Sequence, residues 1–108
     1  MKNHEINKLL HLVHDRLKSS HGDLVKQVIL FGSRVAGGYR SYSDYDFLII
    51  LSEDVDWRGR DEILNSVADI NLEEDIIIDA HFITENELLS IKGKQPYIQN
   101  ALDTGIAV

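Results

Sequence analysis

Between Gly32 and Asp46 the sequence reads Gly-Ser-Arg-Val-Ala-Gly-Gly-Tyr-Arg-Ser-Tyr-Ser-Asp-Tyr-Asp, and two parts of that stretch can do chemistry. Asp44 and Asp46 stand two apart where an apolar run begins, so on a strand their side chains project to the same face and converge. Carboxylates held side by side repel each other unless a cation lies between them. Hard oxygen ligands of this kind suit Mg²⁺, which is usually held by one or two carboxylates plus substrate phosphates. Gly32-Ser33 closes another apolar run. The glycine lets the backbone approach a phosphate, a helical turn opening near Arg34 would aim its amides at the anion, and Ser33 adds a hydroxyl donor. The two parts together read as a metal-nucleotide site. Neither common phosphate cradle accounts for it: Gly32 and Gly37 have the P-loop separation, but Gly38 and Tyr39 occupy the places of its Lys and Ser/Thr, and no Gly-x-Gly-x-x-Gly is present.

The elements that must position these residues follow from periodicity. Ile6, Leu9, Leu10, Val13 and Leu17 mark one face of a helix over 5–18, closed near Gly22. Val28–Phe31 and Phe47–Leu51 are short apolar runs that predict buried strands on either side of the Gly- and Ser-rich stretch. A second helix is expected over 58–71, with Ile63, Leu64, Val67 and Ala68 on its apolar face, then a strand over 75–83. Thr84 with Glu87 three residues on has the form of a capping box, opening a helix over 85–92 that stops at Gly93. A last helix opens near Pro96 and ends near Gly105, leaving Ile106–Val108 as a terminal strand. Strands alternating with helices predict an α/β fold, a small mixed sheet with helices packed against it. With 108 residues, no repeat and no linker-like tract, residues 1–108 are expected to form one domain.

The segment resembles the polymerase-beta-like nucleotidyltransferase superfamily, and within it the minimal nucleotidyltransferases. Their signature is Gly-Ser-x-Ala-Arg-Gly, a spacer, and Ser-Asp-x-Asp before an apolar strand; Gly32-Ser33, Gly37 and Ser43-Asp44-Tyr45-Asp46 match it in residue and spacing. Val35 and Ala36 depart from it, standing where members often carry Ala and Arg, with Arg34 and Arg40 as nearby cations. The resemblance implies a polymerase-beta-like fold, two Mg²⁺ ions at Asp44 and Asp46, and the triphosphate of ATP at Gly32 and Ser33. Arg34 and Ser43 complete the nucleotide side of that set.

The superfamily also has a third carboxylate on a later strand. Asp79, inside Ile-Ile-Ile-Asp-Ala-His-Phe, is the candidate. An aspartate in so apolar a strand is costly unless compensated, either by a metal shared with the first pair or by a basic side chain at the sheet edge. Beside a metal it could also take the proton of an attacking hydroxyl as general base. Asp75, next to Glu73 and Glu74, is the rival, with a solvated acidic loop as its plainer account. His81 shares the face of Asp79 and either touches substrate or is a hydrogen-bonded strand histidine. His11 and His14, one helical turn apart, lack a convergent third ligand and read as solvated helix residues rather than zinc ligands. Trp57 is expected to cover the core at a helix start, with base stacking or insertion into a partner as the other reading.

Composition limits the rest. Cysteine is absent, which removes disulfides, thiolate metal sites and nucleophilic thiols. Eleven basic against 18 acidic residues give a net charge of -7, so direct nucleic-acid binding is not expected, and a polyanionic nucleotide needs a bridging cation. The longest apolar run, Phe47–Leu51, is far short of a membrane span, and no hydrophobic signal region opens the chain, so a cytoplasmic location without membrane attachment is expected. The chain is nearly used up by the nucleotide module, which implies that an acceptor surface comes from another chain. By resemblance that chain is a small helical HEPN protein, the toxin of a toxin-antitoxin pair, with AMP passed from ATP to its tyrosine. Partner binding without catalysis, and nucleotidyl transfer to an aminoglycoside-type small molecule, are the alternatives. A homo-oligomer is compatible with the sequence, and Tyr39, Tyr42 and Tyr45 are candidate partner contacts.

Overall fold

The computed structural model describes residues 3–37 and 44–108. Ser43, expected at the nucleotide, and Gly38, Tyr39, Arg40 and Tyr42 lie outside the described residues. The chain runs α1 (Asn3–His21), β1 (Val25–Phe31), α2 (Ser33–Ala36), β2 (Tyr45–Leu51), α3 (Trp57–Glu74), β3 (Ile78–Thr84), α4 (Glu85–Leu88), α5 (Pro96–Thr104) and β4 (Ile106–Ala107), with 3₁₀ turns at Gly22–Leu24 and Ile91–Lys94. The four strands form one sheet in the order β3-β2-β1-β4. β1 is antiparallel to β2 and to β4, while β2 and β3 are parallel and joined by α3 as the crossover helix. This is the expected α/β arrangement, a mixed sheet with helices against it.

Strand alternation sorts the core into two layers. On one face Val28, Leu30, Tyr45, Phe47, Ile49, Leu51 and Ile78 pack with the α1 stripe of Ile6, Leu9, Leu10, Val13 and Leu17 and with Ile63, Val67 and Ile70 of α3. Burying each such aliphatic side chain stabilises the fold by about 1.5–3 kcal/mol relative to leaving it exposed. On the other face Ile29, Phe31, Leu48, Ile50 and Ile83 pack with Ile98 and Ala101 of α5. Gly105 lets the chain turn from α5 into β4, since a Cβ there would lie 2.3 Å from the Ala101 carbonyl oxygen and 2.4 Å from Ile29.

Several expected boundaries and faces differ. The stripe of α3 is 63–67–70; Leu64 and Ala68 are exposed at its flank. Trp57 does not cover the core: it is 67% exposed, with the Arg58 guanidinium 5.2 Å from its ring centroid. β3 begins at Ile78, not at residue 75, because α3 continues to Glu74 and Asp75 caps it in the left-handed conformation (φ 53°, ψ 50°). The capping box at Thr84 and Glu87 forms with both reciprocal hydrogen bonds. Its helix nonetheless stops at Leu88, because the Ser90 hydroxyl donates to the Glu87 carbonyl and accepts from the Lys92 amide, replacing the bonds that would continue it. Among the described residues no helix is long and apolar enough to cross a membrane.

Candidate active site

The parallel register of β2 and β3 sets Asp46 directly beside Asp79, and Leu48 beside His81. Asp46, Asp79 and His81 therefore share one sheet face, at the end where β1 delivers Phe31 opposite Asp46. The His81 Nε2 lies 3.4 Å from Asp79 Oδ2 and 3.7 Å from Asp46 Oδ1. One ligand atom from each of the three residues falls within 4.8 Å of the others, a grouping able to hold a metal ion. The imidazole sits between two aromatic rings, with centroid separations of 5.6 Å to Phe31 and 5.4 Å to Tyr97 of α5.

Burial pushes the Asp46 carboxyl above its ordinary range, and the charge of Asp79 pushes it further. His81 works against both, and Asp44 adds a smaller upward push. Asp46 is thus a carboxylate disfavoured first by burial and then by a second carboxylate beside it, a condition a cation relieves. The donor set, two carboxylates and an imidazole, fits a divalent metal.

Gly32 forms the wall of this site. Its φ of 85° favours glycine, and a Cβ on it would lie 2.3 Å from Asp46 Oδ2. The backbone of the Gly-Ser turn consequently passes directly over the carboxylate, and Ser33 is exposed as the first residue of α2.

The remaining candidate residues lie around this group or on other elements. Asp44, just ahead of β2, is exposed and is not one of the Asp46–Asp79–His81 group, yet its charge acts on Asp46. Arg34 is buried, with its guanidinium 4.2 Å from the ring centroid of Tyr45. Tyr45 belongs to the core layer under α1, on the opposite face of β2 from Asp46, so this cation–π contact braces the turn from behind. Asp75 precedes β3 as the left-handed cap of α3 described above. His11 bonds the Asn7 carbonyl and His14 the Asp15 carboxylate, both local contacts on α1. Sequence reasoning placed His81 on the face of Asp79 but not beside Asp46. That contact depends on inter-strand register, which the strand's own sequence does not display.

This sheet order, with helices on both faces, is the fold of polymerase-beta-like nucleotidyltransferases. The chain belongs to the nucleotidyltransferase domain family, whose match covers residues 10–107. It is 33% identical over 89 residues to a Methanocaldococcus jannaschii protein named "Putative protein adenylyltransferase MJ0604", covering 82% of this chain and 83% of the relative. A crystal structure of a toxin-antitoxin with AMP-PNP superposes with a TM-score of 0.65 at 18% identity, over 90% of this chain and 69% of that one. A structure of a tri-AMPylated Shewanella oneidensis HEPN toxin in complex with MNT antitoxin matches with a TM-score of 0.50 at 18% identity, over 94% of this chain and 66% of that one.

Proposed function

We propose that this nucleotidyltransferase moves AMP from ATP to a hydroxyl of a partner protein, a small helical HEPN-type chain, and thereby acts as the antitoxin of a toxin-antitoxin pair. The observation that carries the reading is the in-register pair of Asp46 and Asp79 under the Gly32-Ser33 turn in a chain 33% identical to a relative named as a protein adenylyltransferase. Asp44, Asp46 and Asp79 would hold the divalent cations, two Mg²⁺ ions in the simplest case. When bound, the metal supplies positive charge against the phosphates and the oxygens that attack and depart. Gly32 and Ser33 receive the triphosphate, with Ser43 beside them; Arg34 keeps the turn in place through Tyr45.

The acceptor oxygen forms a bond to the α-phosphorus while the bond from that phosphorus to the departing pyrophosphate breaks. The acceptor proton passes to Asp79, the more exposed of the two carboxylates, at 52% against 29% for Asp46. Residues 1–108 act as one module in this reading.

The test is co-expression with the product of the neighbouring reading frame, followed by incubation with ATP and Mg²⁺ and intact-mass measurement. An added AMP on the partner, lost in Asp46→Asn, is the expected result. A stable complex that never gains mass supports partner binding without catalysis. Turnover on free hydroxylated compounds, with no complex and no modified protein, overturns the proposal in favour of a small-molecule enzyme.

A further inference from the structure

We infer that His81 is a direct metal ligand, its Nε2 joining Asp46 and Asp79 on one divalent cation, and that this imidazole tunes the site toward Mn²⁺ over Mg²⁺. The inference rests on the nucleotidyl-transfer reading and goes beyond it, because it assigns the site a nitrogen donor. Cis ligands of an octahedral ion with bonds of about 2.1 Å are separated by about 3.0 Å. The Nε2 separations of 3.4 Å and 3.7 Å from the two carboxylates exceed that by less than 1 Å, within reach of small side-chain rotations.

Two further features favour ligation over a simple ion pair. The ring contacts Phe31 and Tyr97, both tilted against it, while Nε2 lies near both carboxylates at once. Beyond that, His81 is carried by the same strand as Asp79 at i+2, so any shift of β3 moves both donors together. Mg²⁺ prefers oxygen and keeps its waters, whereas imidazole adds more to the affinity of transition metals, with Mn²⁺ the one that still accepts carboxylate and phosphate oxygens readily.

The experiment is pulsed electron paramagnetic resonance on the whole chain with Mn²⁺ and a non-hydrolysable ATP analogue, alongside Mn²⁺ and Mg²⁺ titrations. His81→Phe keeps a ring between Phe31 and Tyr97 and removes the nitrogen; His81→Asn, also without imidazole, is the second variant, and far-ultraviolet circular dichroism checks both for folding. The expected result is ¹⁴N modulation of bound Mn²⁺ that disappears in both variants. Mn²⁺ affinity should fall at least about tenfold, the scale on which even outer-shell partners of a metal act, while Mg²⁺ affinity changes much less. Bound Mn²⁺ without ¹⁴N modulation, or modulation that persists in His81→Phe and so comes from adenine, overturns the inference and leaves AMP transfer standing. No bound Mn²⁺ and no AMP transfer removes both.

Discussion

Asp79 and Asp46 are paired in register, yet their surroundings divide the work between them. Asp46 is the less exposed, is touched by the Gly32 backbone and is pushed upward by burial and by its neighbour, so it is the fixed anchor of the site. Asp79 is open enough to meet an acceptor. Asp79→Asn is therefore expected to retain most ATP affinity while AMP transfer falls at least about 10²-fold, the scale of a lost general base; calorimetric titration beside a turnover assay separates the two effects. Equal loss of both would assign Asp79 to nucleotide binding alone. The places of the Gly-Ser turn and the aspartates were legible in the sequence because the apolar runs that flank them mark the strand ends. The stacking of Arg34 on Tyr45 was not. It depends on which face Tyr45 presents, and that is a matter of packing.

At the scale of elements, the ends of α3 and of β3 decide what the site contains. Asp75 terminates α3 with a left-handed backbone, and its amide bonds the Asn71 carbonyl. Glycine adopts that conformation without the Cβ conflict, so Asp75→Gly should raise stability by up to about 1 kcal/mol and leave AMP transfer unchanged, measured by urea unfolding and by turnover. Loss of turnover in that variant would return Asp75 to the site.

At the far end of β3, Thr84 and Glu87 cap α4 reciprocally, and Lys92 together with the Thr84 amide holds the Glu87 carboxyl below its ordinary value of 4.5. A carboxylate lowered on folding contributes stability that is complete above the unfolded value and is lost as pH falls through the lowered one. Glu87→Gln should lower the melting temperature near neutral pH, with the gap from the parent narrowing as the pH falls below about 4.5. A constant gap would mean that the ionised Glu87 adds nothing to the cap. The capping box was readable because it is local, spanning four residues. The early end of its helix was not, since the Ser90 hydroxyl ends it through bonds that only the folded turn reveals.

Over the whole molecule, a net charge of -7 and a mixed sheet with two apolar layers frame the site. A nucleoside triphosphate approaching so acidic a chain is repelled unless a cation accompanies it. Chelating divalent ions should accordingly weaken ATP binding at least about tenfold in calorimetric titration, and undiminished binding would place the triphosphate away from the aspartates. The α/β class and the helix stripes were legible because burial periodicity is written along each element. The sheet order and the pairing of residue 46 with residue 79 were not, because they are agreements between strands far apart in the chain.

That pairing also sets the tolerance of the chain to insertions. Asn71 clamps the connection from α3, its carbonyl taking the Ile76 amide and its side chain the Ile78 amide, so residues 75–77 have little slack. One residue added there feeds into β3 and turns Asp79 and His81 toward α1 and α3, bringing apolar neighbours into the site. Two added residues restore the face but carry the carboxylate about 6.6 Å along the strand. Length variation in this protein is thus governed by parity first and distance second, and the connection between α3 and β3 is where neither can change without erasing the site.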